Sequence, residues 1–373
     1  MDSAGSSTAL FEPERLEIAR KLKGLHKKEL AELVHVSPAA ITQYEGGRVR
    51  PSPPVLARIS LALGFPIEFF GAGRSISGLD PSTTHFRSLR STRQLERDSA
   101  LARAELTWEL AQLLERYVRL PVVDLPELPF IDAPTGADIE RLAMLLRAAW
   151  AVPVGPIASV VRLLETHGVI VTRLVSGLER VDAFSRWFGD RPVVVLYADK
   201  RDAARSRFDA AHELAHLLMH HDAEPGEGKA EREAHVFAAA FLLPADLIRA
   251  QLPTRLDWPR LVHQKQVWGV SLAALLYRSR SLGVMSDSTY RRAMSVMSKN
   301  GWRRQEPGAL GEPESPALFA RALHLLAGQG IGVDEVANEL RLPGERVREV
   351  AALDEDRPPV FPSSDLTVGS QLD

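Results

Sequence analysis

The stretch FDAAHELAHLL, residues 208–218, contains two histidines four positions apart with a glutamate between them. In a helix, His212 and His216 lie one above the other on the same face. Two imidazoles at this spacing can bind Zn²⁺, and Glu213 can take a proton from a water held at the metal. The apolar neighbours predict that these side chains are buried, which is costly unless they are paired or bind a metal. The alternative is a core helix with two hydrogen-bonded histidines and an exposed glutamate.

The composition is that of a soluble globular protein and excludes several kinds of site. A chain of 373 residues is too long for one simple core and predicts two or three domains. The net charge of -2 gives no overall nucleic-acid signature, so any basic surface must be local. The absence of cysteine excludes disulfides, thiolate metal sites and cysteine nucleophiles. A zinc site in this chain would therefore use only histidine and carboxylate ligands.

The N-terminus and the hydropathy pattern bear on localisation. Residues 1–7 lack the basic region and apolar run of a secretory signal. No stretch approaches the roughly 18 consecutive apolar residues of a membrane helix. We therefore expect a cytoplasmic protein with no membrane partner.

The first seventy residues predict a compact helical domain. Apolar residues recur with helical spacing over 13–22, 28–33, 39–45 and 55–63. Ser37 followed by proline is a typical helix start, and the short turn before it predicts a helix-turn-helix. Between residues 20 and 58 there are eight Lys or Arg and three Glu, so this domain has a local excess of positive charge that could hold phosphates.

Residues 25–33 (LHKKELAEL) and 36–48 (VSPAAITQYEGGR) resemble the Cro/C1-type (phage-repressor, Xre) family. The resemblance implies a lambda-repressor-like fold, an operator in double-stranded DNA, and a homodimer, because a single short helix reads few base pairs. His35 stands where the family usually has glycine, and a left-handed backbone there is uncommon but tolerated for histidine. The alternative is a helical protein-interaction module with incidental basic residues. The residues implied at the DNA are Lys27, Lys28, Ser37, Ala39, Thr42, Gln43 and Arg48.

The middle of the chain predicts a connector followed by a mixed α+β domain. Residues 74–80 read as a Gly/Ser-rich linker, and 90–120 as a long helix that ends at Pro121. Three β-rich runs precede the His212 helix, which favours a small sheet with that helix on one face. Two further helices are predicted at 139–150 and 157–166, and the three strands at 169–172, 181–185 and 192–197.

A second helix, predicted over residues 231–244, offers a third metal ligand. A peptidase-type zinc site needs three protein ligands and one open position for water. Glu231 and His235 are four positions apart and share a face, whereas Glu233 lies off that face. From the residues alone, all three remain candidates.

Residues 207–220 (RFxxAHELxHLLxH) and 231–244 (ExEAxxFAxxFLLP) resemble the ImmA/IrrE family of zinc peptidases. The resemblance implies a zincin-like domain in which His212, His216 and Glu231 bind Zn²⁺ and Glu213 is the general base. It also implies a narrow regulatory substrate, such as a repressor or an antitoxin. His235 stands where the family more often has Asn or Asp, so it could orient a ligand histidine or bind the metal itself. Glu233 is the rival third ligand, and His220 is expected to line the site.

The C-terminal third predicts helices without identifiable chemistry. Residues 256–290 read like a helix-turn-helix, and residues 317–326 and 334–350 look similar; hairpins of this kind are common packing units. The tail from residue 354 is rich in Pro, Ser and Asp and is predicted to be disordered. Six arginines are interpreted as solvated, with nucleic-acid contact as the alternative: Arg278, Arg280, Arg291, Arg292, Arg303 and Arg304.

These patterns predict a mainly α multidomain protein with one α+β zincin-like domain. The leading hypothesis is a DNA-binding transcriptional regulator whose fused zinc metallopeptidase domain cleaves a regulatory protein. The alternative is a repressor in which that domain is a non-catalytic sensor or interaction module. The predicted parts are a helix-turn-helix domain at 1–73, a linker and connector helix at 74–136, the peptidase domain at 137–250, a helical region at 251–353 and a disordered tail at 354–373.

Overall fold

The computed structural model is mostly helical, with sixteen α-helices and a small mixed sheet in the part of the chain that it describes. This confirms the predicted fold class of helical domains around one α+β region. Within the described residues, no helix is both long enough and apolar enough to cross a membrane. The structure describes residues 11–71, 94–174, 183–197, 202–220 and 228–353, and the backbone of the short strands at 85–86 and 367–368.

Long runs of consecutive helices at both ends of the chain enclose the central strands. The helices are α1 (Pro13–Leu22), α2 (Lys27–Leu33), α3 (Pro38–Glu45), α4 (Pro53–Leu63), α5 (Gln94–Leu114), α6 (Gly136–Ala149), α7 (Val160–Thr166), α8 (Ala203–Met219), α9 (Gly228–Leu242), α10 (Ala245–Ile248), α11 (Trp258–Trp268), α12 (Leu272–Ser281), α13 (Asp287–Lys299), α14 (Leu318–Ala327), α15 (Val333–Leu340) and α16 (Gly344–Val350). The strands are β1 (His85–Phe86), β2 (Val118–Arg119), β3 (Ile170–Leu174), β4 (Phe184–Phe188), β5 (Arg191–Tyr197) and β6 (Thr367–Val368).

The N-terminal helices form the expected helix-turn-helix. The turn between α2 and α3 contains His35 in the left-handed region, at φ 53°. Ser37 caps α3, because its Oγ accepts a hydrogen bond from the Ala40 amide at 3.2 Å. The Arg20 guanidinium donates to both oxygens of Glu45 at 2.5 and 3.0 Å, which ties α1 to the end of α3. Helix α3 is therefore held at both ends.

The four-stranded sheet separates two hydrophobic cores. Its order is β1-β4-β5-β3, with β3 parallel to β5, and with β4 antiparallel to both β5 and β1. Side chains alternate along β5, so that Val193 and Val195 lie in one core and Val194 and Leu196 in the other. The first core also contains the N-terminal domain, α5 and the last three helices. The second contains α8, α9 and α11 to α13.

Several predicted boundaries differ from the structure by three residues or more. Helices α6, α7 and α9 begin at Gly136, Val160 and Gly228, against predicted starts at 139, 157 and 231. The strand predicted at 181–185 lies at β4 instead, because the two-residue turn after Phe188, with Gly189 at φ 59°, leads directly into β5. The long helix does not run to Pro121 but ends at Leu114. Residues 115–117 form a turn after it, and β2 then pairs with β6. The predicted linker at 74–80 lies outside the described residues, as does the predicted disordered tail apart from β6.

The connector helix α5 lies between the N-terminal domain and the sheet. Arg15 on α1 forms an ion pair with Glu109 on α5 at 2.8 Å, and both side chains are almost completely buried. Glu105, one turn earlier on α5, lies 3.8 Å from Arg186 on β4. Helix α5 therefore contacts both α1 of the N-terminal domain and strand β4 of the sheet.

Arg278 corrects one interpretation made from the sequence. It was expected to be solvated, but it is only 3% exposed. Its guanidinium donates to the carbonyl of Leu243 at 2.9 Å and forms an ion pair with Glu140. Arg278 thus satisfies a backbone carbonyl just past the end of α9, a role that the local sequence does not reveal.

Candidate metal centre and nucleic-acid interface

Two closely packed helices, α8 and α9, carry the candidate metal donors. Alanines line the contact between them, and Ala211, Ala215, Ala234 and Ala238 are all completely buried. Small side chains at these positions let the helix axes approach. The donors on α8 can therefore face Glu231 in the first turn of α9 without intervening bulky groups.

His212, His216 and Glu231 bring their donor atoms together. His212 Nε2 lies 3.1 Å from His216 Nε2 and 3.3 Å from Glu231 Oε2, and His216 Nε2 lies 3.6 Å from Glu231 Oε1. Ligands about 2.0 to 2.2 Å from a tetrahedral Zn²⁺ are separated from one another by about 3.3 to 3.6 Å. The two histidines are almost fully buried, while the Glu231 side chain is 18% exposed. The nitrogen and oxygen donors thus fit zinc in both kind and spacing, in the one such cluster found among the described residues.

Glu213 points towards the sheet. Its Oε2 accepts a hydrogen bond from the Ser185 hydroxyl on β4 at 2.8 Å, and the residue is 1% exposed. This hydrogen bond fixes the orientation of the Glu213 carboxylate. Ser185 was not predicted, because identifying it requires the packing of β4 against α8.

His220 and Glu233 form a chain of contacts that leads away from the donor cluster. His220 Nδ1 lies 3.2 Å from His216 Nδ1, and His220 Nε2 lies 3.0 Å from Glu233 Oε2. A ligand histidine whose second nitrogen has a hydrogen-bonding partner is fixed in orientation and tautomer. Of the two rival glutamates, Glu231 lies with the histidine donors, whereas Glu233 contacts His220.

His235 lies beside the cluster, between two aromatic rings. Its ring centroid is 4.7 Å from that of Phe208 and 5.6 Å from that of Tyr277. Tyr277 belongs to α12, so the hairpin after α9 contributes a contact to this residue of α9. This contribution was not anticipated from the sequence.

A cavity of about 240 Å³ adjoins the His220–Glu233 pair. One wall is the irregular segment 128–134, and the other is formed by the end of α8 and the start of α9. Apolar side chains such as Phe130 and Leu218 line the cavity together with charged groups on both walls. Its charged or titratable members are Asp132, His220, Lys229 and Glu233.

The candidate DNA-binding residues lie on the outer side of the N-terminal domain. Ile41 and Tyr44 point into the core, which turns the other side of α3 to solvent. Lys27 is less accessible than the other candidates, since its Nζ lies 3.1 Å from a Glu45 oxygen. The exposed candidates are Lys28, Ser37, Ala39, Thr42, Gln43 and Arg48.

Comparison with known proteins gives matches in two parts of the chain. A family model described as helix-turn-helix matches residues 16–70, and one described as IrrE N-terminal-like domain, a peptidase family, matches residues 164–280. Over 56 residues the chain is 36% identical to Multiprotein-bridging factor 1 of Eremothecium gossypii. That similarity covers 15% of this chain, and the chain spans only 37% of the length of that relative. The second family match includes β3 to β5, both site helices and most of α12.

Proposed function

Because the chain joins a Cro/C1-type helix-turn-helix domain to an ImmA/IrrE-type domain, we propose that it is a DNA-binding regulator that hydrolyses a peptide bond in a regulatory protein. The observation that carries the peptidase half is the spacing of the His212, His216 and Glu231 donors. A repressor or an antitoxin is the proposed substrate class. The helix-turn-helix half is supported by the exposed polar side of α3.

The proposed cofactor is Zn²⁺, held by the two histidine Nε2 atoms and the Glu231 carboxylate. When bound, zinc polarises a carbonyl and makes water a stronger acid. The chain between His216 Nδ1, His220 and Glu233 would keep the His216 ring in place. The open side of the site lies towards Glu231, the most exposed of the three ligands.

Glu213 is the proposed general base and acid. Its carboxylate takes a proton from the attacking water as the new carbon–oxygen bond forms. It then delivers that proton to the amide nitrogen as the carbon–nitrogen bond breaks. Positioned groups of this kind contribute roughly 10²- to 10⁴-fold to a rate. The hydrogen bond from Ser185 holds the carboxylate in orientation for both transfers.

At the DNA, α3 would enter the major groove of an operator. Ala39, Thr42 and Gln43 lie on its exposed side and are proposed to face the bases. Lys28 and Arg48 would contact phosphates at the flanks of the groove. A homodimer is proposed, because two such helices could read two half-sites of an operator.

The peptidase half is tested with Glu213→Gln. We expect the parent protein, loaded with zinc, to cleave its substrate in a peptide-library screen, and Glu213→Gln to cleave it at least about 100-fold more slowly. The zinc content of the two proteins should be equal, because Glu213 is not a proposed ligand. Glu105→Gln, which alters a buried carboxyl on α5, serves as the matched control. A Glu213→Gln protein that cleaves like the parent would contradict the proposal, and a parent that cleaves nothing would favour a non-catalytic sensor.

The DNA half is tested by selecting binding sites from random duplex DNA. We expect one sequence to be enriched by the parent protein, and a changed or weaker preference for the Gln43→Ala variant. Arg141→Ala, at an exposed position on α6, should select the same sequence as the parent. Failure of the parent to enrich any sequence would rule out the regulator.

A further inference from the structure

Residues 249–304 are strongly basic in a chain that is slightly acidic overall. They contain eleven Lys or Arg but only Asp257 and Asp287 as acidic residues, a net charge of +9. Since the whole chain carries -2, the remainder carries -11. This segment comprises α11, α12, α13 and the turn that follows α13.

Five of the eleven cations have internal structural partners. Carbonyl oxygens accept from two of them, and carboxylates pair with the others. The carboxylates offset the charge of three of them, whereas the two that donate to carbonyls are held in place but keep their positive charge. They are Arg249 with Leu282 O at 2.7 Å, Arg260 with Gln251 O at 2.9 Å, Lys265 with Glu306 at 2.9 Å, Arg278 with Glu140, and Arg280 with Asp287 at 2.5 Å.

The other six cations are exposed, and no carboxylate among the described residues forms an ion pair with them. Five of these lie on α13 or within the turn after it. They are close together in the sequence, and we call this group the α13 basic face. Its members are Arg291, Arg292, Lys299, Arg303 and Arg304.

Helix geometry places the cations of α13 on one side. At 3.6 residues per turn, Arg291, Arg292 and Lys299 fall within an arc of about 100°. The opposite side carries Ala293 and Met297, both completely buried. Arg291 and Lys299 are separated by a rise of roughly 12 Å along the axis. Because a DNA strand carries one phosphate per about 3.4 Å of helix axis, this length matches a run of several phosphates.

We propose that the α13 basic face binds the phosphate backbone of duplex DNA, as a contact separate from the N-terminal domain. Exposed, unpaired cations in a row are what sequence-independent phosphate binding requires. The exposed positions between them on α13, Ser295 and Ser298, are polar, so the face presents no apolar side chains for insertion into a lipid surface. Duplex DNA therefore fits this face better than a membrane does.

The neighbouring helix-turn-helix hairpin does not read bases. In such a motif, α12 would be the helix that enters the groove. Its first amides are already bound, since the Glu306 carboxylate accepts from Leu272 N at 2.8 Å and from Ala273 N at 3.3 Å. The negative charge of Glu306 at this helix start would repel a phosphate. The proposed contact therefore lies on α13 and adds affinity rather than sequence selectivity.

The test compares two triple variants of the full-length protein. One is Arg291→Gln, Arg292→Gln and Lys299→Gln, and the control removes three exposed arginine charges elsewhere.

Binding to a short random duplex is measured by fluorescence anisotropy at about 50 to 200 mM salt. Each phosphate contact adds about 0.9 to the steepness with which log K falls against log salt. The α13 variant lacks three such contacts, so its slope should be less steep by about 2 to 3. Its affinity should fall roughly tenfold or more at low salt. The control substitutions are Arg116→Gln, Arg119→Gln and Arg141→Gln.

Equal salt slopes for the two triple variants would overturn the proposal. The proposal would also be overturned if the α13 variant bound DNA like the parent but no longer bound vesicles of anionic phospholipid. The Gln43→Ala variant separates this contact from the N-terminal one. We expect it to change the preferred sequence while keeping the salt slope, whereas the α13 variant should keep the sequence preference. The result does not depend on whether the zinc site is active.

Discussion

Glu231 and Glu233 show how two nearly adjacent carboxylates acquire different surroundings. They are two positions apart on α9, so their side chains leave the helix in different directions. Glu231 reaches the Nε2 atoms of both His212 and His216. Glu233 instead contacts His220, which in turn contacts the other side of the His216 ring. The two glutamates should therefore affect a bound metal to very different extents.

We expect Glu231→Gln to abolish tight zinc binding and Glu233→Gln only to weaken it. Loss of a direct ligand removes one of three protein bonds to the metal. Loss of a group that orients a ligand histidine typically costs about 10- to 100-fold in affinity. Competition with a fluorescent zinc chelator gives both affinities, and elemental analysis gives the stoichiometry. If Glu233→Gln loses the metal and Glu231→Gln retains it, the assignment of the third ligand is wrong.

Sequence spacing could predict the α8 donors but not the groups that hold them. His212 and His216 share a face in any helix, so their juxtaposition depends only on local structure. Ser185 approaches Glu213 only because β4 has one particular register against β5 and lies against α8. The contacts of Tyr277 with His235 and of Arg278 with Glu140 likewise join helices that are distant in the sequence. Single-sequence patterns carry no information on such pairings.

At the scale of elements, one turn geometry recurs five times between consecutive helices of the described residues. In each case a left-handed residue is followed by an apolar residue and then by the N-cap residue of the next helix. Three of the left-handed residues are glycines, with φ between 64° and 84°, and two are not, with φ 53°. The five turns begin at Gly24 between α1 and α2, His35 between α2 and α3, Gly269 between α11 and α12, Gly330 between α14 and α15, and Arg341 between α15 and α16.

We expect His35→Gly to stabilise the N-terminal domain. A left-handed conformation costs an ordinary residue roughly 1 to 2 kcal/mol, and replacement by glycine removes this cost. The greater entropy of glycine in the unfolded chain offsets about 0.5 to 1 kcal/mol of that stabilisation. The net increase in the free energy of unfolding should therefore be up to about 1 kcal/mol, as measured by urea denaturation.

Gly269→Ala is the matched substitution in the reverse direction. It should destabilise the protein, because Gly269 has φ 65° and an added Cβ would lie 2.9 Å from Arg207 Nε. The account of the turn would be contradicted if His35→Gly destabilised the protein as well.

Helix periodicity predicted most elements, and the exceptions have tertiary causes. The four N-terminal helices lie within two residues of their predicted ranges, because each has its own apolar stripe and start signal. The predicted end of α5 was wrong because a turn at residues 115–117 follows Leu114 and leads into β2. There Val118 is buried, and β2 pairs with β6, about two hundred and fifty positions later in the chain. No local signal near Pro121 indicates that pairing.

At the scale of the whole molecule, buried carboxyls join distant parts of the chain. Glu165 on α7 is 4% exposed, and its Oε1 accepts from the Ala317 and Leu318 amides at 2.8 and 2.9 Å, at the start of α14. Burial raises the pKa of Glu165 to about 7, against the opposing effect of these two hydrogen bonds. Burial likewise raises the pKa of Glu105 to about 8, although Arg186 lowers it. Both carboxyls therefore hold a proton in the folded protein at mildly acidic pH.

The pKa of Glu165 predicts that the protein becomes less stable as pH rises. In the unfolded chain this carboxyl has a pKa near 4.5, so between about pH 4.5 and 7 the folded state holds a proton that the unfolded state has lost. Its stabilising contribution is complete below that range and is lost as pH rises through about 7. Glu165 alone should lower the free energy of unfolding by up to about 1.4 kcal/mol per pH unit in this window.

Glu165→Gln separates this titration from the hydrogen bonds to α14. The amide oxygen of glutamine can still accept from both backbone amides, but the side chain does not titrate. We therefore expect the urea midpoint of the variant to depend less steeply on pH than that of the parent between about pH 5 and 7. Glu312→Gln, at an exposed position, should reproduce the profile of the parent. Parallel profiles for Glu165→Gln and the parent would show that Glu165 is ionised in the folded protein, in which case the contact between α7 and α14 is held by a buried charge.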